Sequence, residues 1–390
     1  MRYQFFFASF NLLLMSCFAM ASVLAEEAIE NTAKSIRLAT LNASLYANAA
    51  GKVAERIQLG NDVQAKSIAA IIQKVRPDVL LINEIDHEVD ARTVKLFRDQ
   101  YLSVSHEGSE AISYPFIYSA PSNTGVDSEL DLNRNERRGE PDDAWGYGIY
   151  PGQYSFAVLS RYPIDVDAIR TFQTFCWAKL PAALRPIDPQ SQQPYHADEV
   201  WNSLRLSSKN HVDLPVQIDG HVLHVLASHP TPPVFDGPED RNGCRNHDEI
   251  LFWKHYIDGE SALVDDSGKA GGLSSAASFV LMGDLNSDPN FGNSRPEAIR
   301  ALLQHPRITD PLPRRISSAE ATPIEAANDT ADFGSVGELR VDYVLPSRNL
   351  RVLEAKVFWP ASDDATSKWI HASDHRLVWI DAIISESPIH

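Results

Sequence analysis

Gly283-Asp284-Leu285-Asn286 follows an apolar run, Ser278-Phe279-Val280-Leu281-Met282, and precedes Ser287-Asp288-Pro289. A buried strand that ends in an Asp and an Asn two positions apart sends both polar side chains to the same side of a strand tip. There an acid can prepare water and an amide can hold an oxyanion. Other apolar runs close in the same manner: Ile36-Arg37-Leu38-Ala39-Thr40-Leu41 ends in Asn42, and Val79-Leu80-Leu81-Ile82-Asn83 ends in Glu84. Hard divalent cations such as Mg²⁺ take oxygen ligands and keep several waters, so one carboxylate and one amide are enough protein. Ser373-Asp374-His375-Arg376 precedes the apolar stretch 377–383 and sets a carboxylate beside an imidazole at a strand mouth. Within Arg340-Val341-Asp342-Tyr343-Val344-Leu345, Asp342 lies on the face opposite Val341 and Tyr343. An Asp inside a strand is costly unless hydrogen-bonded, and orienting an imidazole satisfies it. The candidate imidazole is His229, which ends the run 221–228 and precedes Pro230-Thr231-Pro232-Pro233, a stop to any helix. His221 and His224 read as surface or packing residues.

These positions need elements to hold them. Short β-rich runs recur at 35–41, 79–82, 155–160, 222–227, 279–282, 339–345 and 377–383, with helical patterns at 63–75, 89–100, 249–257 and 295–303 between them. Alternation of that kind argues for α/β or α+β layers. The stretch 125–148 contains Asp131, Asn133 and Asn135 at calcium-loop spacing with Asp142 at the twelfth place, but Glu136 stands where Gly is needed and Arg138 where an apolar residue is needed. A solvated acidic loop is the better reading. Segment 236–249 carries Arg241, Arg245 and Asn246, either as a substrate-facing loop that grips phosphate or as an Arg/Asp lattice that pins the loop. Lys209, in Ser207-Ser208-Lys209-Asn210-His211, is read equally as a phosphate contact and as part of a solvated hairpin turn.

The chain has 390 residues, 44% hydrophobic and 22% charged, enough for one large core or two ordinary ones. Its net charge of −17 repels phosphate backbones, and no basic, aromatic-interleaved run offsets it. Arg2, the apolar stretch 5–24 and Val23-Leu24-Ala25 before Glu26-Glu27 describe a secretory signal cut after Ala25. The expected organisation is a signal peptide at 1–25 and one catalytic domain at 26–390, in the periplasm or outside the cell, with no transmembrane segment after cleavage. Leu14-Met15-Ser16-Cys17 loosely resembles a lipobox, a route ranked below simple cleavage. An exported compartment permits a Cys176–Cys244 disulfide that would pin a loop, an expectation balanced by two separate buried thiols. Nothing in the sequence sets the oligomeric state.

Taken in order, Asn42, Glu84, His229, Asp284, Asn286, Asp342, Asp374 and His375 resemble the endonuclease/exonuclease/phosphatase superfamily, whose members include pancreatic-type deoxyribonuclease, abasic-site endonucleases, inositol polyphosphate 5-phosphatases and neutral sphingomyelinases. The resemblance spans 36–383, and several motifs in the right order are far rarer than one. It implies a four-layer α/β/β/α sandwich of two packed mixed sheets with the site at one end. It implies that Glu84 holds a metal, with Asn42 and Asp374 nearby directly or through water. Asp284 would orient or deprotonate the attacking water, and Asn286 and His375 would hold phosphoryl oxygens. His229, held by Asp342, would assist the leaving group or stabilise charge. The stretch 152–161 resembles the family strand in which a Tyr reaches the phosphate, a role that falls to Tyr154. Segment 236–249 departs from the best-known members. The resulting expectation is an exported phosphoesterase that uses Mg²⁺, with Mn²⁺ or Ca²⁺ as alternatives, and acts on a phosphate ester by water attack. A secreted deoxyribonuclease-like endonuclease is the alternative, disfavoured by the charge, and a non-catalytic binding protein on the same scaffold is the second.

Overall fold

Strands that are apolar at every position must be covered on both faces, and β1 (Ile36–Leu45) and β2 (Val79–Ile85) are of this kind. In β2, Leu80 and Ile82 enter a core shared with helices, whereas the equally buried Leu81 reaches to 3.8 Å from where a side chain on Gly283 would begin. One strand therefore serves two apolar layers, a helix on one side and a second sheet on the other. The computed structural model describes residues 35–319, 323–324 and 327–384, so the expected signal segment and Cys17 lie outside the described residues. The described residues from Arg37 onward form one compact unit.

The first sheet has the order β3 (Phe116–Ser119), β4 (Phe156–Ser160), β2, β1, β14 (Val378–Ile384), β13 (Leu350–Val357) and β9 (Arg314–Arg315). Its β1 and β2 run parallel while β2 and β4 run antiparallel. The second has the order β12 (Asp342–Pro346), β8 (Ser278–Asp284), β7 (His221–Ser228), β6 (His211–Ile218) and β5 (Arg170–Thr171), with β7 and β8 parallel and the other pairs antiparallel. A short ribbon, β10 (Ala331–Asp332) with β11 (Glu338–Leu339), stands apart. In β8, Phe279 and Leu281 face the second helical core, while Val280 and Met282, buried but outside it, face the other way. The helices α1 (Lys52–Ile57), α2 (Val63–Val75) and α3 (Arg92–Phe97) cover the first sheet. Beyond α4 (Asp198–Trp201), α5 (Arg241–Ile257) and α6 (Pro296–Leu303) cover the second. This is the expected four-layer α/β/β/α sandwich with two mixed sheets. Each fully buried leucine of these layers stabilises it by about 2 kcal/mol.

Helix α2 shows how local signals set a boundary. Asp62 caps it by accepting from Ala65 N at 2.8 Å, Arg76 closes it in the left-handed region, and Pro77 follows. Ala65, Ile68, Ala69, Ile72 and Val75 form its buried stripe. Helix α5 starts eight residues before the expected 249, because its first turns bury polar side chains, Asn246, Asp248 and Glu249, which a search for apolar periodicity passes over. β3, β5, β6, β9, β10 and β13 fall outside the expected set, and β6 and β13, the longest of them, show why. β6 contains Pro215, whose carbonyl accepts from Asp165 N on the side away from β7, so the missing N–H breaks no rung with β7. The period of β13 is interrupted by a bulge between Val352 and Glu354.

The expected Cys176–Cys244 bridge is absent: both thiols are free, Cys244 lies buried on α5, and Cys176 Sγ donates to the Asn202 carbonyl at 3.2 Å. In the loop 125–148, the Asp131 carboxylate accepts from the amides of Asn135 and Glu136, so its oxygens serve the turn itself. Among the described residues no helix is long and apolar enough to cross a membrane.

Candidate active site

Two backbone facts bring the strand tips together. Asp284 and Asp342 are direct partners in the β8–β12 ladder. Gly283, with φ of 152°, passes so close to β7 that a Cβ there would sit 2.1 Å from Ser228 O. Only glycine permits that approach, and the residues that follow on the two strands, Asp284 and His229, come within 3.4 Å (Oδ2 to Nε2).

Asp284 is the hub. Its Oδ2 accepts from Asn42 Nδ2 at 3.0 Å and Asn286 Nδ2 at 3.4 Å and lies 3.6 Å from His375 Nε2, while Oδ1 accepts from Asn286 N at 2.9 Å. Asn42 Nδ2 also donates to Glu84 Oε1 at 3.0 Å, and its Oδ1 accepts from Ser44 N. Asn42 was expected to present a metal-facing oxygen; in this arrangement it clamps two carboxylates through its amide nitrogen instead. Asp342 Oδ2 accepts from Thr330 Oγ1 at 2.9 Å and pairs with His375 Nδ1 at 2.9 Å. The expected Asp342–His229 pair is thus replaced by Asp342–His375. The sheet order explains it, since β12 flanks β8 on the side opposite β7 and leaves His229 beyond Asp284.

His229 is 1% exposed, and neither ring nitrogen has a hydrogen-bond partner. Buried polar atoms left unpaired are rare and ask for a ligand. Burial, then the Lys209 ammonium, pulls its imidazole down to about 4, so it is neutral at pH 7. For His375 burial acts downward, but the carboxylates of Asp342 and Asp284 outweigh it and raise the imidazole, favouring its cation. For Asp284 burial acts upward, but His375, His229 and Asn42 outweigh it and hold the carboxyl below its ordinary range. Burial raises Glu84 despite the Asn42 hydrogen bond. Ser44, Glu84, Tyr154 and Asn286, all around this site, have φ between 46° and 56°. Non-glycine residues held there cost about 1–3 kcal/mol each and persist where surroundings over-determine them.

A cavity of about 600 Å³ opens onto this cluster. Of the expected residues, Glu84, Tyr154, His229, Arg241, Arg245 and Asp374 line it, while Asn42, Asn246, Asp284, Asn286, Asp342 and His375 are not part of its lining. Tyr154 packs edge-on against Tyr46, and burial pushes its hydroxyl up to about 12. Arg241 pairs with Glu239, inside the cavity rim. Arg245 and Asn246, expected as substrate contacts, are spent on the scaffold. The Arg245 guanidinium donates to the carbonyls of Leu206, Trp145, Arg205 and Ser207, and Asn246 Nδ2 donates to those of Thr231 and Leu285. The reason is α5, which turns the supposed loop into a buried polar face. Tyr46, Arg205, Trp177 and Phe235 line the cavity as well, and no motif marks them; Lys209 does so from a segment whose hairpin-turn reading is not met, since the residue is buried.

The metal question turns on donors. Glu84 and Asp374 are the carboxylates of the cluster that face the cavity, with side chains 20% and 50% exposed, and His229 Nε2 lies 4.0 Å from Glu84 Oε1. This oxygen-rich set fits a hard divalent cation. Asp284, Asp342 and His375 also bring ligand atoms within 4.8 Å of one another, but there the imidazole Nδ1 is already given to Asp342.

The model of the Endonuclease/Exonuclease/phosphatase family matches residues 45–375. Among solved structures, an endonuclease/exonuclease/phosphatase from Beutenbergia cavernae DSM 12333 is 16% identical, with 92% of this chain and 73% of that chain covered and a TM-score of 0.50. A sphingomyelinase C from Streptomyces griseocarneus is 15% identical over 90% of this chain and 99% of that one, with a TM-score of 0.49. An endonuclease/exonuclease/phosphatase family protein from Leptotrichia buccalis C-1013-b is 14% identical over 88% and 98%, with a TM-score of 0.48. No curated protein matches the chain. The Beutenbergia likeness is one of fold.

Proposed function

The chain belongs to the Endonuclease/Exonuclease/phosphatase family, and from that premise we propose that it is an exported, divalent-cation-dependent hydrolase that cleaves a phosphate ester by direct attack of water. The observation that carries this reading is the buried His229, whose Nδ1 has no partner and whose Nε2 meets the carboxylate of Asp284 at 3.4 Å, lining a cavity together with Glu84. Glu84 and Asp374 would hold the cation, Mg²⁺ first and Mn²⁺ or Ca²⁺ as alternatives, with Asn42 fixing Glu84. A bound cation supplies charge neutralisation at the phosphoryl group. Asp284, held ionised, is a weak base, so its role is to orient water rather than to strip it of a proton. His375, kept cationic by Asp342, donates toward a phosphoryl oxygen, and phosphoryl transfer needs little beyond such placement and charge. His229 contacts the phosphoryl or leaving group as a neutral imidazole. Asn286, whose amide is given to Pro230 O at 3.1 Å and to Asp284, supports the phosphate side by fixing these two strand ends.

A cavity of about 600 Å³ and a net charge of −17 favour a compact soluble or lipid-derived phosphate over nucleic acid. The N-terminal segment supports export to the periplasm or beyond, with one catalytic domain after residue 25. The test is a panel of phosphate monoesters, diesters, sphingomyelin and plasmid DNA, each with Mg²⁺ and with chelator. Hydrolysis of a small ester that stops on chelation is the expected result. Turnover that survives chelation sinks the reading, and cleavage confined to plasmid replaces it with the nuclease.

A further inference from the structure

Lysine is almost never fully buried unless paired, yet Lys209 is 6% exposed in a chain whose acidic residues outnumber its basic ones. Among the described residues no carboxylate lies within salt-bridge distance of it; its Nζ makes one hydrogen bond, to Pro230 O at 3.4 Å. Glu249, the carboxylate whose charge acts most strongly on it, ahead of Glu84 and Asp284, is committed elsewhere. Its Oε1 accepts from Ser208 N at 2.6 Å and Ser208 Oγ at 2.9 Å, and its Oε2 accepts from Thr231 N at 2.7 Å. An ammonium carries three N–H donors, so two remain. They belong to a residue that lines the cavity together with Glu84, His229 and Asp374 and whose bonded neighbour, Pro230, directly follows His229. Burying a charge without a partner is expensive, and an anion arriving in the cavity is what would offset it.

We infer that Lys209 is a substrate-contacting residue whose ammonium donates to a non-bridging oxygen of the phosphoryl group, on the His229 side of the cavity. This rests on the phosphoesterase reading and adds to it a fixed positive charge supplied by the chain itself. Donors aimed at phosphoryl oxygens stabilise charge where the transition state gathers it. A protein cation there also leaves less charge for the bound ion to neutralise.

The rival role for Lys209 is to balance buried Glu249, and a double substitution separates the two. Inorganic phosphate binding is measured by calorimetry in Mg²⁺, beside turnover of the best small ester, for the wild type, Lys209→Gln, Glu249→Gln and the pair combined. If Lys209 holds the phosphoryl group, Lys209→Gln is at least as stable as wild type, and it and the combined variant both bind phosphate about 10- to 100-fold more weakly than wild type, the scale of a charge-assisted hydrogen bond. Glu249→Gln alone keeps phosphate affinity within about 3-fold, well inside that scale. Wild-type phosphate affinity and turnover in the combined variant overturn the inference and leave the phosphoesterase reading standing. A wild type that neither binds phosphate nor hydrolyses any ester sinks both. Lys209→Arg keeps the charge but moves the donors, so it folds and loses affinity; unchanged affinity there likewise counts against the inference.

Discussion

Two buried polar clusters lie side by side in this protein, and they are finished differently. Around α5, Glu249 accepts from two backbone amides and a hydroxyl, Arg245 donates to four carbonyls, and Asp248 takes Trp177 Nε1 and Leu184 N. His211 joins Ser207 Oγ to the Glu249 carbonyl, and among the described residues Asn246 Oδ1 is the fully buried side-chain atom of this group that lacks a partner. At the strand tips the reverse holds for the residues that face the cavity: His229 Nδ1 has no partner, its Nε2 has only the 3.4 Å approach of Asp284, and two donors of Lys209 are unused. A satisfied cluster has done its work when the chain is folded, whereas an unsatisfied one is complete only with a ligand. The contrast separates scaffold from chemistry where residue type does not, since both clusters contain His, carboxylates and a cation.

That contrast can be broken by substitution. Glu249→Ala should cost about 3–5 kcal/mol in urea unfolding, because two buried amides and a hydroxyl lose their acceptor at about 1–3 kcal/mol each. A change under 1 kcal/mol would show the α5 cluster to be ornamental. Asp284→Asn should lower kcat about 10²- to 10³-fold, equivalent to about 3–4 kcal/mol in the barrier, and near-wild-type turnover would remove Asp284 from the mechanism. The scaffold cluster should also set the acid limit of stability. Burial depresses His211 from 6.5 to about 4, so the unfolded chain takes up a proton that the folded chain refuses. The contribution is fully present above pH 6.5 and falls away as pH drops toward 4, by up to about 3 kcal/mol. His211→Gln should flatten that slope, and an unaltered slope would assign it to other groups. Smallest of all, His229→Gln should shift unfolding by less than about 1 kcal/mol, since no hydrogen bond is lost, while turnover falls sharply. Loss of stability with retained turnover would place His229 in the scaffold.

The sequence made one half of this comparison readable and hid the other. Glu84, Asp284 and His375 were visible because each closes or opens an unbroken apolar run, and the layers follow from those same runs. The partner of Asp342 was not visible, because which histidine it meets depends on β12 lying on the far flank of β8. Arg245 and Asn246 read equally as substrate contacts and as a pinning lattice, because a helix that buries a polar face leaves no apolar period, and Lys209 read equally as a phosphate contact and as part of a solvated turn, because burial of a loop residue leaves no periodic trace. Pairing in space, rather than residue type, is the information that a linear reading lacks.

The four left-handed turns at Ser44, Glu84, Tyr154 and Asn286 carry a further consequence for how this chain can change. Glycine at these positions would relax the backbone and remove the side chain in the same stroke. Substitutions that raise the melting temperature should therefore gather at this rim and arrive with diminished turnover. The site's geometry is thus a standing trade-off between robustness and activity, confined to four addresses on the chain.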